Sequence, residues 1–282
     1  MSVKCFFIHT IACCLPRSTM SNFPFVSVPV SRETNTATPA IIVFNDEVDT
    51  LIGGEGGDSF FLRRNGDQIA PLTPAASLIG TKNDDILEGT NVRDVIPARD
   101  GNDTIIGFQG DDFLEGQNGN DILFSGQGND LLIGSEGIDT LFGDIGIDTV
   151  YGGPDPDIVF GNNDEDTLFG DGGDDSIYGG QGNDSLIGGT GNDLLLGDRG
   201  NDTLVGISND NLGYTLITDF NGDEDKLLLG GTPDLYTIGN LPSNVPAGVA
   251  IFKLNGDGSQ QLLAVVQGNI SSTLDSDQYV FI

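Results

Sequence analysis

Tryptophan is absent, histidine occurs once (His9), and the three cysteines (Cys5, Cys13 and Cys14) all sit near the start of the 282-residue chain. Residues 15–282 contain no cysteine, which excludes a disulfide framework for the body of the protein. A single histidine rules out an H-E-x-x-H zinc protease and leaves no Ser-His-Asp or Cys-His arrangement to be assembled. Positive charge is scarce as well: 11 Lys and Arg stand against 43 Asp and Glu, a formal net charge of −32. Such acidity excludes nucleic acid and anionic membrane surfaces as partners. No apolar run approaches the ~18 residues of a membrane-spanning helix, so no membrane span is expected.

What is plentiful is glycine, 42 residues of it, arranged with a period of nine. From residue 80 to 205 the chain reads without insertion as GTKNDDILE, GTNVRDVIP, ARDGNDTII, GFQGDDFLE, GQNGNDILF, SGQGNDLLI and GSEGIDTLF. It continues GDIGIDTVY, GGPDPDIVF, GNNDEDTLF, GDGGDDSIY, GGQGNDSLI, GGTGNDLLL and GDRGNDTLV. Asp holds the sixth place of all fourteen units, and Ile, Leu or Val the eighth. Each unit therefore has a glycine-rich acidic half and an apolar half suited to a short strand, whose alternate side chains face opposite ways. The eighth place points inward: Leu87, Ile105, Leu123, Leu141, Val159, Ile177 and Leu195 form one row, and Leu114, Leu132, Val150, Leu168, Leu186 and Leu204 the facing row. A three-residue strand buries too little alone, so the units must stack on their own copies.

Glycine at the first and fourth places marks backbone that needs positive φ or close approach. Asn83, Asp155 and Asp164 replace it at the fourth place and are the side chains that best tolerate the left-handed region. Val92 does not, so a distorted loop is expected at residues 89–97, where Pro97 also removes a ladder donor.

The acid needs a counter-charge. Between Asp100 and Val205 the only basic residue is Arg199. Stacked turns lie about 4.8 Å apart, where two carboxylates repel by roughly 1 kcal/mol in water and about 3 kcal/mol at an effective dielectric of 20. Calcium answers this best, because it accepts six to eight hard oxygens, carboxylate and backbone carbonyl alike. Magnesium demands near-ideal octahedral geometry, and zinc or copper want the nitrogen and sulfur that this stretch lacks. Asp that merely caps turns through local hydrogen bonds would explain scattered positions rather than fourteen of fourteen.

The G-G-x-G-x-D-x-U-x pattern, as in GGQGNDSLI and GGTGNDLLL, resembles the hemolysin-type calcium-binding repeat of RTX proteins from bacteria, often cyanobacteria. The resemblance implies an all-β fold: a right-handed parallel β-roll, a solenoid with two nonapeptides per turn. Calcium ions would lie between loops of successive turns, held by sixth-place carboxylates and loop carbonyls. Carried onto this chain, one edge is Asp85, Asp103, Asp121, Asp139, Asp157, Asp175 and Asp193, and the other is Asp94, Asp112, Asp130, Asp148, Asp166, Asp184 and Asp202. The resemblance also implies a secreted, extracellular protein that leaves the cell through a type I exporter reading an uncleaved C-terminal signal.

Around the repeat block the chain divides into three further parts. Residues 1–43 form a leader, Ser/Thr/Pro-rich and poorly ordered from residue 21. In its first 20 residues Lys4 followed by CFFIHTIACCLP loosely resembles a signal peptide, interrupted at His9 and Thr10; the alternative is that Met20 is the true start. Residues 44–79 hold four degenerate units in the same phase, making N-terminal turns, with Asp49, Asp58 and Asp67 at the sixth place of the first three and Ala76 at that of the last. Residues 206–282 form a small β-rich C-terminal cap and secretion region. Within it, NGDEDK resembles the D-F-x-x-G-x-D element that closes RTX blocks, and NGDGSQ sits between two strands of a hairpin. Such a cap covers the end turn of a solenoid.

RTX blocks are often joined to proteases, lipases and epimerases, but 43 residues ahead of the first unit are too few for a catalytic domain. Paired carboxylates for glycoside chemistry are too abundant for any one pair to be informative. The chain reads as a non-enzymatic, calcium-folded structural or adhesive protein of a cell surface or matrix. The alternative is the secretion-and-folding module of a larger RTX enzyme or toxin.

Overall fold

The computed structural model describes residues 40–42, 50–52, 59–62, 77–205, 213–243, 245–274 and 277–282. Of the leader only residues 40–42 are described, a strand paired parallel with Ser59–Leu62; the expectations for residues 1–39 and for Asp49, Asp58 and Asp67 fall outside the described residues. Those described are almost entirely β, with one 3-10 turn at Pro233–Leu235. No helix among them is long and apolar enough to cross a membrane.

Alternate units feed alternate sheets. Ile122–Phe124, Thr140–Ile145 and Ile158–Asn163 lie side by side in one parallel sheet, while Phe113–Asn118, Leu131–Glu136 and Thr149–Gly153 lie in the other. The register pairs Leu141 with Leu123 and with Val159, and Leu132 with Leu114 and with Val150. Partners are eighteen residues apart, so two nonapeptides make one turn of a parallel β-solenoid.

Both eighth-place rows point between the sheets and are completely buried, and Ile96 joins the second. Full burial of each such side chain stabilises by about 1.5–3 kcal/mol. The ninth place faces out, where Phe124, Phe142, Phe160 and Tyr178 stack with ring centroids 4.7, 4.9 and 4.8 Å apart. That separation is the strand spacing itself.

Many strands are longer than their apolar triplet. Thr140–Ile145 and Leu131–Glu136 run on into the next unit, with Leu141, Gly143, Leu132 and Gly134 turned inward. Because strand side chains alternate, the sixth, eighth and following first places all share the inner face. First-place glycine is therefore a matter of close approach and not of positive φ. Positive φ falls at the fourth place (Gly128, Gly137, Gly146) and, as the sequence pattern did not reveal, at the second, where even Arg99 (φ 87°) and Phe108 (φ 76°) adopt it.

One expectation about the loops is corrected. Of the fourth-place substitutes only Asp164 is left-handed (φ 74°). Asp155 precedes Pro156, which disfavours that geometry. At Asn83 and Val92 a second-place threonine makes the turn instead, accepting the amide of Asn83 at Oγ1 of Thr81 (3.2 Å) and that of Val92 at Oγ1 of Thr90 (3.3 Å). Pro97 interrupts one ladder only: toward the following turn Val95–Asp100 keeps its register, with Pro97 opposite Glu115, but toward the preceding turn the pairing is confined to Ser77 with Val95.

Beyond residue 205 the sheets continue. Thr215–Asn221 pairs parallel to Leu194–Arg199, and Lys226–Leu229 to Thr203–Val205, with partner spacings of 22 and 23 residues. Gln260–Asn269 and Tyr279–Phe281 extend each sheet by another parallel strand, and the antiparallel strands Val249–Leu254 and Tyr236–Gly239 finish the first.

Candidate metal centre

The strand alternation that buries the eighth place also turns the sixth-place Asp inward. All fourteen are 0–3% exposed. They form two ladders, in which Oδ1 of each Asp from Asp103 onward accepts the backbone N–H of the Asp eighteen residues earlier. The distances are 2.7–3.3 Å on one edge and 2.7–2.9 Å on the other. The structure thus brings together Asp121, Asp139 and Asp157, and separately Asp130, Asp148 and Asp166.

The second oxygen is different. Oδ2 of Asp103, Asp112 and each later ladder Asp through Asp202 is buried without a hydrogen-bond partner. A buried, unpaired carboxylate oxygen is costly. Burial pushes Asp139 and Asp148 up to about 7 and Asp166 and Asp175 up to about 8. The backbone donor from the previous turn opposes this rise, and the carboxylates one turn away add to it.

First-place glycines face these free oxygens. A Cβ on Gly134 would meet Asp139 Oδ2 at 2.4 Å and the Gly152 carbonyl oxygen, one turn on, at 2.5 Å; on Gly170 the figures are 2.3 Å to Asp175 and 2.5 Å to Gly188. On each edge a turn thus presents one unpaired carboxylate oxygen, at most steps beside a main-chain carbonyl. Among the described residues no three His, Cys, Asp or Glu side chains converge. The donor set on each edge is one carboxylate per turn plus carbonyl oxygens, all hard, which suits calcium and not zinc or copper.

The RTX calcium-binding nonapeptide repeat, in overlapping four-copy windows, matches residues 79–107, 97–132, 106–141, 133–168, 142–177 and 169–204. Residues 79–204 are an RTX repeat array. Among solved structures, the chain is similar to the extracellular lipase LipA from Serratia marcescens, at 17% identity and a TM-score of 0.30. The similarity covers 74% of this chain and 40% of the lipase, so the chain spans less than half of that relative's length. No curated protein matches the chain.

The RTX ladder is not uniform at its ends. Asp85 Oδ2 accepts the Thr81 amide (2.6 Å), and Asp94 Oδ2 accepts both the amide and the hydroxyl of Thr90 (2.5 and 2.9 Å). Local turn capping, set aside for the array as a whole, holds at these two units. At the other end sequence reasoning missed Asp225. It is 4% exposed, accepts the Asp202 amide at Oδ1 (3.0 Å) and the Asn221 amide at Oδ2 (2.7 Å). Reading residues 220–228 as one more unit, FNGDEDKLL, would have found it, with Phe in the first place and Leu227 in the eighth. On the opposite edge the rung after Asp193 is taken by Thr215, buried with a hydroxyl that has no partner.

Proposed function

We propose that residues 80–205 bind calcium along both edges of the roll, and that the protein is a secreted, calcium-folded structural or adhesive component without catalytic activity. The observation that carries this is the row of buried Oδ2 atoms, each without a donor, and eight of them, from Asp112 to Asp184 with Asp130 excepted, beside a next-turn carbonyl oxygen. Calcium supplies positive charge to oxygens that the chain's own cations do not reach, since Arg199 is the only one between Asp100 and Val205. The chain's part is to align the carboxylates by the amide-to-Oδ1 bonds, to clear space with first-place glycine, and to keep water out with the eighth-place rows.

Folding and binding are then one process, cooperative along a stack in which each turn contacts only its neighbours. Affinity belongs in the range of extracellular modules, about 10⁻⁴–10⁻³ M. A chain with that requirement folds outside the cell, where calcium is abundant, which favours export in the unfolded state through a one-step exporter. A circular-dichroism titration tests the reading: β-signal should appear on adding calcium and vanish with chelator. Full β-structure in excess chelator at neutral pH and low salt would sink it.

A further inference from the structure

Ser125 stands where the array has glycine. Of the fourteen first places between residues 80 and 205, twelve are Gly, one is Ala98 and one is Ser125. At the glycines on either side of Ser125 along its edge, the space beyond the Cα is shared by two oxygens. A Cβ on Gly107 would meet Asp112 Oδ2 at 2.6 Å and the Ser125 carbonyl oxygen at 2.4 Å; on Gly143 it would meet Asp148 Oδ2 at 2.7 Å and the Gly161 carbonyl oxygen at 2.9 Å. At Ser125 a side chain occupies that space. It is fully buried, and its Oγ donates to the Gly143 carbonyl at 2.5 Å.

We infer that Ser125 takes the place of a calcium ion at one step of the ladder, the step between the turns of Asp130 and Asp148. The side chain fills the volume into which the unpaired carboxylate oxygen and the next turn's carbonyl otherwise open. Its hydroxyl proton also engages that carbonyl, which elsewhere remains to serve a cation. The rest of the rung is intact: Asp130 Oδ1 still accepts the Asp112 amide (2.7 Å), and the Asp130 amide still reaches Asp148 Oδ1 (2.8 Å). The strand pairing is undisturbed too, with Leu132 in register with Leu114 and Val150. A hydroxyl thus maintains the turn-to-turn contact that a cation makes elsewhere, and the roll crosses this step without an ion.

The inference rests on the calcium reading above, and the experiment separates the two. Bound calcium is counted in the full-length protein by equilibrium dialysis with metal analysis, for wild type, Ser125→Gly and Ser125→Ala. Glycine is the residue of twelve sister units and alanine is present and buried at Ala98, so both variants suit the fold. Ser125→Gly should bind one more calcium per chain than wild type. Ser125→Ala should bind no more than wild type, because its methyl keeps the space filled, and should show a higher calcium midpoint, because the Gly143 carbonyl loses its donor. An unchanged or reduced count in Ser125→Gly, with calcium bound by wild type, overturns the inference alone; a reduced count would make the hydroxyl a calcium ligand. Wild type binding no calcium at all would overturn the calcium reading and this inference with it.

Discussion

The backbone amide of Asp121 donates to Oδ1 of Asp139 at 2.8 Å, while Asp130, midway between them in sequence, bonds instead to Asp112 and Asp148. Asp139 in turn receives Asp121 and passes its own amide to Asp157 at 2.7 Å. Neighbours along the chain are strangers in space.

Substitutions on one edge should therefore couple, and those on opposite edges should not. Asp139→Ala with Asp157→Ala is expected to be non-additive by about 0.5–3 kcal/mol, whereas Asp139→Ala with Asp148→Ala should add within about 0.5 kcal/mol. Denaturant unfolding of the calcium-loaded single and double variants measures both pairs. Equal coupling would contradict the eighteen-residue turn.

Acidification should fold the metal-free protein. Burial raises the ladder carboxylates in the folded state to about 6 at Asp121 and about 8 at Asp166, against roughly 3.9 when unfolded. The folded state then binds more protons than the unfolded one, so stability is fully present below pH ~4 and is lost as pH rises through 6–8. Calcium competes with those protons, so its midpoint should rise as pH falls. Circular dichroism in chelator across pH 4–8 reads the first effect, and calcium titrations at pH 6 and 8 the second. β-structure in chelator that strengthens with rising pH would contradict the burial of the ladder.

Phe108→Gly should stabilise the roll. Phe108 adopts φ 76° at a second place and is 42% exposed, so it bears left-handed strain of about 1–2 kcal/mol without the compensation of full burial. Partly offset by the greater freedom of glycine in the unfolded chain, the net gain should be on the order of 0.5–1 kcal/mol. It should appear as a higher thermal midpoint in saturating calcium, and a lower midpoint would show that the ring's contacts outweigh the strain.

Asp219 joins the C-terminal segment to the last repeat. Its carboxylate accepts the amides of Gly197 (3.2 Å) and Asp198 (2.8 Å), a role played inside the array by a strand carbonyl, as when Gly107 donates to Phe124. Asp219→Ala should cost about 1.5–3 kcal/mol, the range for hydrogen bonds to charged groups, and raise the calcium midpoint. Truncation after residue 205 should weaken the calcium response further, because it also exposes the core at Leu195 and Leu204. A titration unchanged by truncation would remove the cap role.

The nine-residue phase by itself determined the solenoid. Fourteen aspartates and fourteen apolar residues at fixed places call for stacked turns with an apolar row inside, and the resemblance to the RTX repeat implied the two units per turn that the register shows. Sequence alone also identified the oxygen-only chemistry, because no histidine or cysteine lies in the block. What the pattern did not contain was direction and exception. That Asp shares the inner face with Leu depends on strands running past their apolar triplet into the next first place, as Thr140–Ile145 does through Gly143. The left-handed second place was hidden because Arg99, Phe108 and Gln117 have nothing in common as side chains. Only the stacking of one turn on the next decides which carboxylate oxygens are left without a donor, since that depends on atoms eighteen residues away. Thus Thr81 and Thr90 satisfy Oδ2 of Asp85 and Asp94, Asn221 satisfies Oδ2 of Asp225 after the spacing widens to 23 residues, and the Oδ2 atoms between them, those beside Ala98 and Ser125 excepted, face space that glycine leaves open.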